Sequence, residues 1–558
     1  MSGPTSCGGA RWSVWALLGG AALGAASPPL STPLALALLL LGLMLWFTIA
    51  TASPRPGRHA YLFGCAHMLW FSWSVRHFAF AGLFAIVLVG GLYYLLAARV
   101  TRAAPRWQVT AFAVATAGSF WLRAGMPEIH YPHGQPCHSL WTLPVLLAPI
   151  TVGGEAFVNA LLAALAATLV QLVRSWRTAV PAWGRSLRAV AITVGIYVAS
   201  AVLGTLLQAG CAGEGSLRVA AIEPGFHPQD EWIEAQRRDD QDVWLRLFEE
   251  RYLVPSEREL AVAAPDLLVW PESSLPEVLR ARDIDAGRAR LGLRGLDRRL
   301  RLVHAGPTRL VLGAEVEGDA GETPAACVVD LKRGQVLGYQ QKRVLVPAGE
   351  FVPFVGLMPA ALRSWLQTLA RETFHQELPA CVPGAERPPL AAADGTRFGA
   401  LLCYDNAYPA AAAAQVAAGA RLLLVLSNES WFRGGNELDQ LVAMTVCRAL
   451  ETATPLVRCT QDGCSVVVGA DGRRREQLPV VAGRQPAARI LRAEVPLGAG
   501  HLPAMAWTRA AAGPLAGLGL GLLFLHSLVR RARLRSAPPA FSAAAGPGPS
   551  GAARGSGS

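Results

Sequence analysis

A cysteine closes the run Gly399-Ala400-Leu401-Leu402-Cys403-Tyr404-Asp405, where small and apolar residues of strand type give way abruptly to polar ones. Two upstream stretches have the same form. Leu267-Leu268-Val269-Trp270-Pro271-Glu272 delivers a carboxylate, and Gln341-Lys342-Arg343-Val344-Leu345-Val346-Pro347 an ammonium. Glu272, Lys342 and Cys403 thus supply a base, a cation and a nucleophile. A thiol becomes a strong nucleophile when a neighbouring base or cation favours its thiolate. Singly, each residue has a plainer explanation. Cys403 is compatible with a core cysteine, Glu272 with a helix N-terminal acid before Ser273 and Ser274, and Glu350, in the turn-rich Pro347-Ala348-Gly349-Glu350-Phe351-Val352-Pro353, with a solvated loop acid. Lys342 stands out by usage. The chain has two lysines, Lys332 and Lys342, against 49 arginines. Lysine can give up its proton when desolvated and arginine effectively cannot, so a retained lysine points to a site that needs an amine.

The elements that must position these residues divide into two kinds. Apolar residues make up 52% of the 558 and charged residues 16%, against about 25% charged in ordinary soluble proteins. Up to Gly215 the only acids are Glu128, Glu155 and Glu214, while the other 36 of the 39 lie beyond it. An apolar, acid-poor first part is therefore joined to a soluble-type second part. The net charge of +12 does not indicate nucleic acid, because the arginines sit in short clusters between apolar runs with no aromatic-rich basic motif. The ten cysteines have no CxxC or Cys/His metal spacing, so no metal site is expected; spacing assigns no disulfide.

Apolar runs long enough to span a bilayer fall at about 12–27, 33–52, 59–77, 79–98, 108–123, 152–173, 187–209 and 510–529. Arginine clusters follow the second, fourth, sixth and eighth. By the positive-inside rule those loops and both termini are cytoplasmic. The expected organisation is a membrane domain over 1–211 with seven spans and an extracytoplasmic arm near 124–151, lying on the outer membrane-facing surface. An extracytoplasmic domain over 212–508 follows, then a last span with a basic end over 509–536, and a Pro/Gly/Ala/Ser-rich, disordered tail over 537–558. The soluble part reads as α/β. Strands are expected at Leu217–Ile222, Leu267–Trp270, Leu310–Val316, Ala326–Asp330, Phe398–Leu402, Leu422–Leu426, Leu456–Cys459 and Ser465–Gly469. Helical patterns cover Trp232–Tyr252 and Asp439–Thr452.

Taken together, Trp270-Pro271-Glu272, Lys342-Arg343 with the Pro347–Pro353 loop, and Cys403-Tyr404 resemble the nitrilase (carbon–nitrogen hydrolase) superfamily. Ser427-Asn428-Glu429-Ser430-Trp431-Phe432, Arg448-Ala449-Leu450-Glu451, Pro455-Leu456-Val457-Arg458 and Trp121-Leu122-Arg123, with the spans, extend the likeness to its membrane branch, the apolipoprotein N-acyltransferases. The resemblance implies an α-β-β-α sandwich joined to a multi-span helical domain in a bacterial inner membrane. It implies acyl transfer through a thioester on Cys403, with Glu272 as general base and Lys342 stabilising the oxyanion. The donor would be a phospholipid of phosphatidylethanolamine type and the acceptor a diacylated apolipoprotein, with no cofactor, and the enzyme a monomer. Glu350, Tyr404 and Asp405 are implied in support, and Trp232, Phe351, Asn428 and Trp431 as substrate-binding candidates. The chain departs from the family pattern at Asp405, where Glu is usual, at Glu429 for Asp, at Glu223 for Gln, and near Gln440, where a loop histidine is usual. A membrane-tethered amidase, a diverged low-activity paralogue and a non-enzymatic scaffold are the alternatives.

Overall fold

The computed structural model describes the chain except residues 1–5, 31–32, 78–79, 177–179, 228–229, 232–233, 236–237, 239–241, 276, 292–305, 375–376, 482–484 and 537–558. Trp232, part of the helical pattern Trp232–Tyr252 and the C-terminal tail therefore lie outside the described residues.

The apolar runs fold as α1 (Ser6–Ala25), α2 (Pro33–Ala52), α3 (Pro56–Phe71), α4 (Phe80–Ala103), α5 (Gln108–Gly125), α6 (Ile150–Trp176) and α7 (Val180–Ala209). Of these, α2, α4, α6 and residues Trp183–Ala209 of α7 are long and apolar enough to cross a membrane, as are Ala506–Arg533 near the C-terminus. Five helices thus meet that standard among the described residues. The helix α1 carries five glycines in 20 residues, α3 is 16 residues long, with His59 and His67 buried in it, and α5 has 18 residues and a buried Arg123. Gly154, at φ +69°, breaks α6 one residue before the buried Glu155. That φ is one glycine adopts at little cost.

The second half is a two-sheet sandwich. The first sheet runs β13-β1-β2-β4-β5-β6, with β3 on the edge of β4. These strands are β1 (Ala212–Glu223), β2 (Leu267–Val269), β3 (Val278–Arg280), β4 (Arg309–Gly318), β5 (Gly321–Asp330), β6 (Gln335–Gln341) and β13 (Arg489–Gly498). The second sheet runs β12-β11-β10-β9-β8-β7, from β7 (Leu390–Ala391), β8 (Arg397–Leu402), β9 (Leu422–Ser427), β10 (Leu456–Thr460), β11 (Val466–Val468) and β12 (Arg474–Gln477). Side chains alternate across a strand, and the packing follows that period. Leu422, Leu424 and Leu426 of β9 meet Val219, Leu267 and Val311 of the first sheet. Helix α8 (Ala360–Phe374) precedes β7. Leu423 and Val425 face outward, into the cluster that includes helices α9 (Pro409–Ala417) and α10 (Glu437–Thr452) and continues into the membrane helices. The outer face of the first sheet packs on residues 243–260. The layers are therefore helix, sheet, sheet, helix. After the sandwich the chain ends in α11 (Ala506–Ser536).

All eight strands read from the sequence are present. Five others, β3, β6, β7, β12 and β13, were not expected. β12 is exposed along its length and β7 has two residues, so neither carries an alternating apolar signal. The arm between α5 and α6 differs from its expected place. Residues 132–141 are buried rather than spread on an outer surface. The reason is polar: Arg123 donates to the Tyr131 carbonyl at 3.1 Å, Gln135 Nε2 to Glu155 Oε2 at 2.6 Å, and His133 pairs with Glu437 at 2.8 Å. The arm is thus tied to the helix bundle through Arg123 and Glu155 and to the sandwich through Glu437.

Candidate active site

Each of the three reactive side chains stands where a strand ends. Glu272 follows β2, Lys342 follows β6 and Cys403 follows β8. Two come from one sheet and the third from the other, so the sandwich brings residues far apart in sequence to one end.

The Glu272 turn is clamped to β4. Trp270 N donates to Val311 O at 2.8 Å, Gly313 N to Pro271 O at 3.1 Å and Ser274 N to Gly313 O at 3.0 Å. A Cβ on Gly313 would lie 2.4 Å from Pro271 O and 2.5 Å from Glu272 Cα, so this approach requires glycine. The helix start proposed for Ser273 and Ser274 does not form; the chain turns, with Ser273 at φ +52°, and enters β3. Trp270 is buried beneath, donating to Ser256 Oγ at 3.0 Å.

Lys342 is 1% exposed. Its Nζ donates to Glu272 Oε1 at 2.9 Å and to Glu350 Oε1 at 2.5 Å. The free oxygens of both acids are also engaged: Asn428 N donates to Glu272 Oε2 at 3.0 Å, and Val346 N to Glu350 Oε2 at 2.9 Å. Burial works to lower the Lys342 pKa, but Glu272, Cys403 and Glu350 outweigh it and hold the ammonium well above its usual range. Glu350 itself is raised, by burial first and the Glu272 charge, against the pull of Lys342. The lysine is therefore a fixed cation, and Glu350 is part of the site rather than a solvated loop acid.

Cys403 has φ +43°, a left-handed conformation that is uncommon without glycine. Asp405 explains how it is held. Its buried carboxylate accepts from Leu402 N at 3.2 Å, Arg343 N at 3.1 Å and Val344 N at 2.8 Å. One side chain thus locks the end of the cysteine strand to the lysine loop. Burial raises Asp405 to about 6 despite Lys342 and those three donors. Burial, then the Glu272 charge, push the Cys403 thiol up to about 11, against the opposing pull of Lys342 and a hydrogen bond with Ser427. The resting group is a thiol that needs a base.

Other candidates fall into place unevenly. Tyr404 is buried, donates to His130 O at 3.1 Å and packs against Tyr408 at 5.4 Å between ring centroids. Phe351 faces His130 across 6.4 Å. His130 also bonds Leu345 O at 2.9 Å, so the arm from the helix bundle closes over the lysine and cysteine loops. Asn428 places its backbone N–H on Glu272, while its side-chain oxygen accepts from Ser430 Oγ at 2.7 Å. Trp431 is 37% exposed and packs edge-on to His227 at 5.3 Å. Gln440 donates to Phe71 O at 2.8 Å, tying α10 to the end of α3.

Three residues near the triad were missed. Glu315 on β4 is raised to about 7, by burial and then by the Glu272 and Glu350 charges. A glutamate inside the otherwise apolar Leu310–Val316 was the available signal. Ser427 bonds the cysteine, and Arg458, counted only as part of a motif, lies buried against Glu429 and bonds Thr445 Oγ1 at 3.2 Å. Burial lowers Arg458 to about 10, partly opposed by Cys403. Elsewhere, Cys137, His138 and Glu155 bring ligating atoms within 4.8 Å of one another. The Glu155 carboxylate is already taken by Arg448 at 2.6 Å and Gln135 at 2.6 Å, so this cluster is an ion-pair network.

Residues 243–496 match the family model described as carbon-nitrogen hydrolase. The match takes in most of the second half of this chain. Beyond that match, the chain is similar to curated proteins named apolipoprotein N-acyltransferase. It is 30% identical over 296 residues to one from Geobacter metallireducens, covering 52% of this chain and 50% of that protein. It is 29% identical over 416 residues to one from Pseudomonas paraeruginosa, covering 74% and 70%. The first match spans half the length of its relative and the second about seven tenths. An amidase from Nesterenkonia sp. AN1 overlaps at 22% identity, covering 52% of this chain and 95% of that one, with a TM-score of 0.32. The resemblance read from the motifs is found again in these sequence matches over 52% and 74% of the chain, and the two-sheet arrangement is the sandwich it implied.

Proposed function

We propose that this chain is a bacterial membrane acyltransferase that moves a fatty acyl chain from a phospholipid, through a thioester on Cys403, to the N-terminal amine of a diacylated apolipoprotein. The observation that carries the reading is the gathering of Glu272, Lys342 and Cys403 at one end of the sandwich, beneath an arm from a bundle of membrane-capable helices.

Glu272 takes the proton of the Cys403 thiol. The thiolate attacks the ester carbonyl of the donor, expected to be of phosphatidylethanolamine type, and the Lys342 ammonium stabilises the oxyanion. The intermediate collapses, Glu272 returns the proton to the departing alkoxide, and a lysophospholipid leaves. The acceptor amine then attacks the thioester, again losing a proton to Glu272, and the thiolate departs and is reprotonated. The product is an N-acylated, triacylated lipoprotein. Glu350 positions Lys342, and Asp405 positions both the lysine loop and the cysteine. Tyr404 supports the site, and Phe351, Asn428, Trp431 and Trp232 are the proposed substrate-binding residues. The arginine clusters support cytoplasmic termini, and the membrane-capable helices followed by the sandwich support a membrane domain over 1–211 and an extracytoplasmic catalytic domain over 212–508; a monomer is the expected state.

Intact mass after incubation with phosphatidylethanolamine tests the reading. A gain of one acyl chain, released by hydroxylamine and absent from Cys403→Ala, is expected. Folded protein that gains no acyl mass from any of several phospholipids overturns it.

A further inference from the structure

The end of the helix bundle remote from Cys403 carries a concavity. There α2 ends at Ala52, α3 begins at Pro56, α4 ends at Ala103, and α11 runs out towards Ser536. Between them lies a hollow of about 490 Å³ lined by Arg55, Arg58, Arg99, Arg102, Arg530 and Arg531, with Gly57 and Ser527. Gly57 makes room for one of these guanidinium groups, since a Cβ there would lie 2.8 Å from Arg99 Nε. Two of the arginines are fixed by single bonds to helix ends. Arg530 donates to Ala103 O at 2.6 Å, and Arg102 donates to Thr51 O. Those bonds orient the guanidinium groups without neutralising them.

Charge balance is the stronger observation. Neither residues 1–127 nor residues 495–558 contain an Asp or Glu. The helices that build the hollow therefore gather six positive charges and bring no carboxylate to them. Positive-inside topology accounts for arginines at these helix ends. It does not account for their convergence from several helices on one hollow, where like charges repel unless an anion joins them.

We propose that this hollow binds the phosphate of an acidic phospholipid headgroup, a role separate from the acyl chemistry at Cys403. Guanidinium groups match phosphate oxygens with paired N–H donors, and basic pockets between membrane helices hold acidic headgroups. The apolar flanks of α4 and α11, exposed at Leu92, Leu522 and Leu525, leave room for the acyl chains alongside. A free phosphate ion offers the same oxygens but uses none of that apolar surface.

Native mass spectrometry of the delipidated full chain in detergent tests this, with phosphatidylglycerol, phosphatidylcholine and inorganic phosphate as separate probes. Phosphatidylglycerol is expected to bind at least about tenfold more tightly than phosphatidylcholine, with the preference shrinking as salt rises. Arg99→Gln with Arg530→Gln should weaken phosphatidylglycerol binding about 25-fold, taking roughly fivefold for each basic group; a lipid held at the Cys403 end would be unaffected. Arg99→Lys with Arg530→Lys should keep most of the preference, which guards against a fold defect in the glutamine pair. Equal retention of the two lipids by the wild type overturns the proposal. So does a loss of affinity absent from the folded glutamine pair. Inorganic phosphate binding as tightly as phosphatidylglycerol overturns the lipid assignment.

Discussion

Lys342 Nζ lies 2.9 Å from Glu272 Oε1, and the two side chains are 1% and 7% exposed. The pair joins the ends of two strands in one sheet, so neither residue can be changed without consequence for the other. Lys342→Met would leave Glu272 and Glu350 buried without their cation, and breaking such a pair costs about 3–5 kcal/mol. Lys342→Arg keeps the charge but asks a larger planar group to fit a space closed on both sides by carboxylates. Both variants should lose acyl-adduct formation by at least about 100-fold, the scale of removing one oxyanion donor. Lys342→Met should also show a lower Tm. Near wild-type adduct formation by Lys342→Arg would remove the lysine from its proposed role.

Asp405 stands where the resemblance leads one to expect glutamate, and its three backbone donors explain why the shorter acid suffices here. Asp405→Ala should strand those buried N–H groups and destabilise the domain by roughly 2–3 kcal/mol. Asp405→Glu adds a methylene at a position 2% exposed and should cost about 1–3 kcal/mol. Thermal unfolding in detergent measures both. A stabilised glutamate variant would mean that the lysine loop relaxes freely.

Protonation of Cys403 sets a pH dependence. With its thiol pushed up to about 11, alkylation by iodoacetamide should rise about tenfold per pH unit from 7 to 10, because only the thiolate reacts. Mass spectrometry of the peptide containing Cys403 follows it. A plateau near pH 8 would indicate a thiolate already formed at rest.

Glu315 gives a stability signature of the opposite sense to a salt-bridged acid. Its pKa is raised from 4.5 to about 7 in the folded protein, so between those values the native state holds more protons than the unfolded one. Stability then falls as pH rises through that window. Glu315→Gln should match wild type near pH 4.5 and be more stable at pH 8, by up to about 3 kcal/mol. Equal Tm values at pH 8 would show that the side chain escapes the charges of Glu272 and Glu350.

Legibility followed apolar periodicity. Strands such as β2, β8 and β9 are buried on both faces, and the continuous apolar runs of the first two mark the strand ends that carry Glu272 and Cys403. β6 precedes Lys342 but mixes glycine and glutamines with Val336 and Tyr339, so the lysine was noticed by its rarity instead. What stayed hidden depends on contacts between distant segments. Nothing near Asp405 announces that it caps the lysine loop 61 residues away, and nothing near His133 announces Glu437. The arm reads as a surface feature because its apolar flank, Leu140 to Ile150, is too short to span a bilayer.

The joint between membrane helices and catalytic domain rests on one such distant pair. Arg448 of α10 is fully buried and bonds Glu155 of α6 at 2.6 Å and Glu451 at 2.7 Å. Beside it Thr151 Oγ1 donates to Leu450 O at 2.8 Å. Arg448→Met strands both Glu155 and Glu451 and should cost about 3–5 kcal/mol, whereas Glu155→Gln leaves Arg448 paired with Glu451 and should cost less. The double variant should recover part of the Arg448→Met loss, since one of the two stranded carboxylates is gone while Glu451 stays buried. A thermal-unfolding cycle on the four proteins reads the coupling. Additive losses would mean that the two parts are joined by apolar packing alone and that the ion pair contributes nothing to their docking.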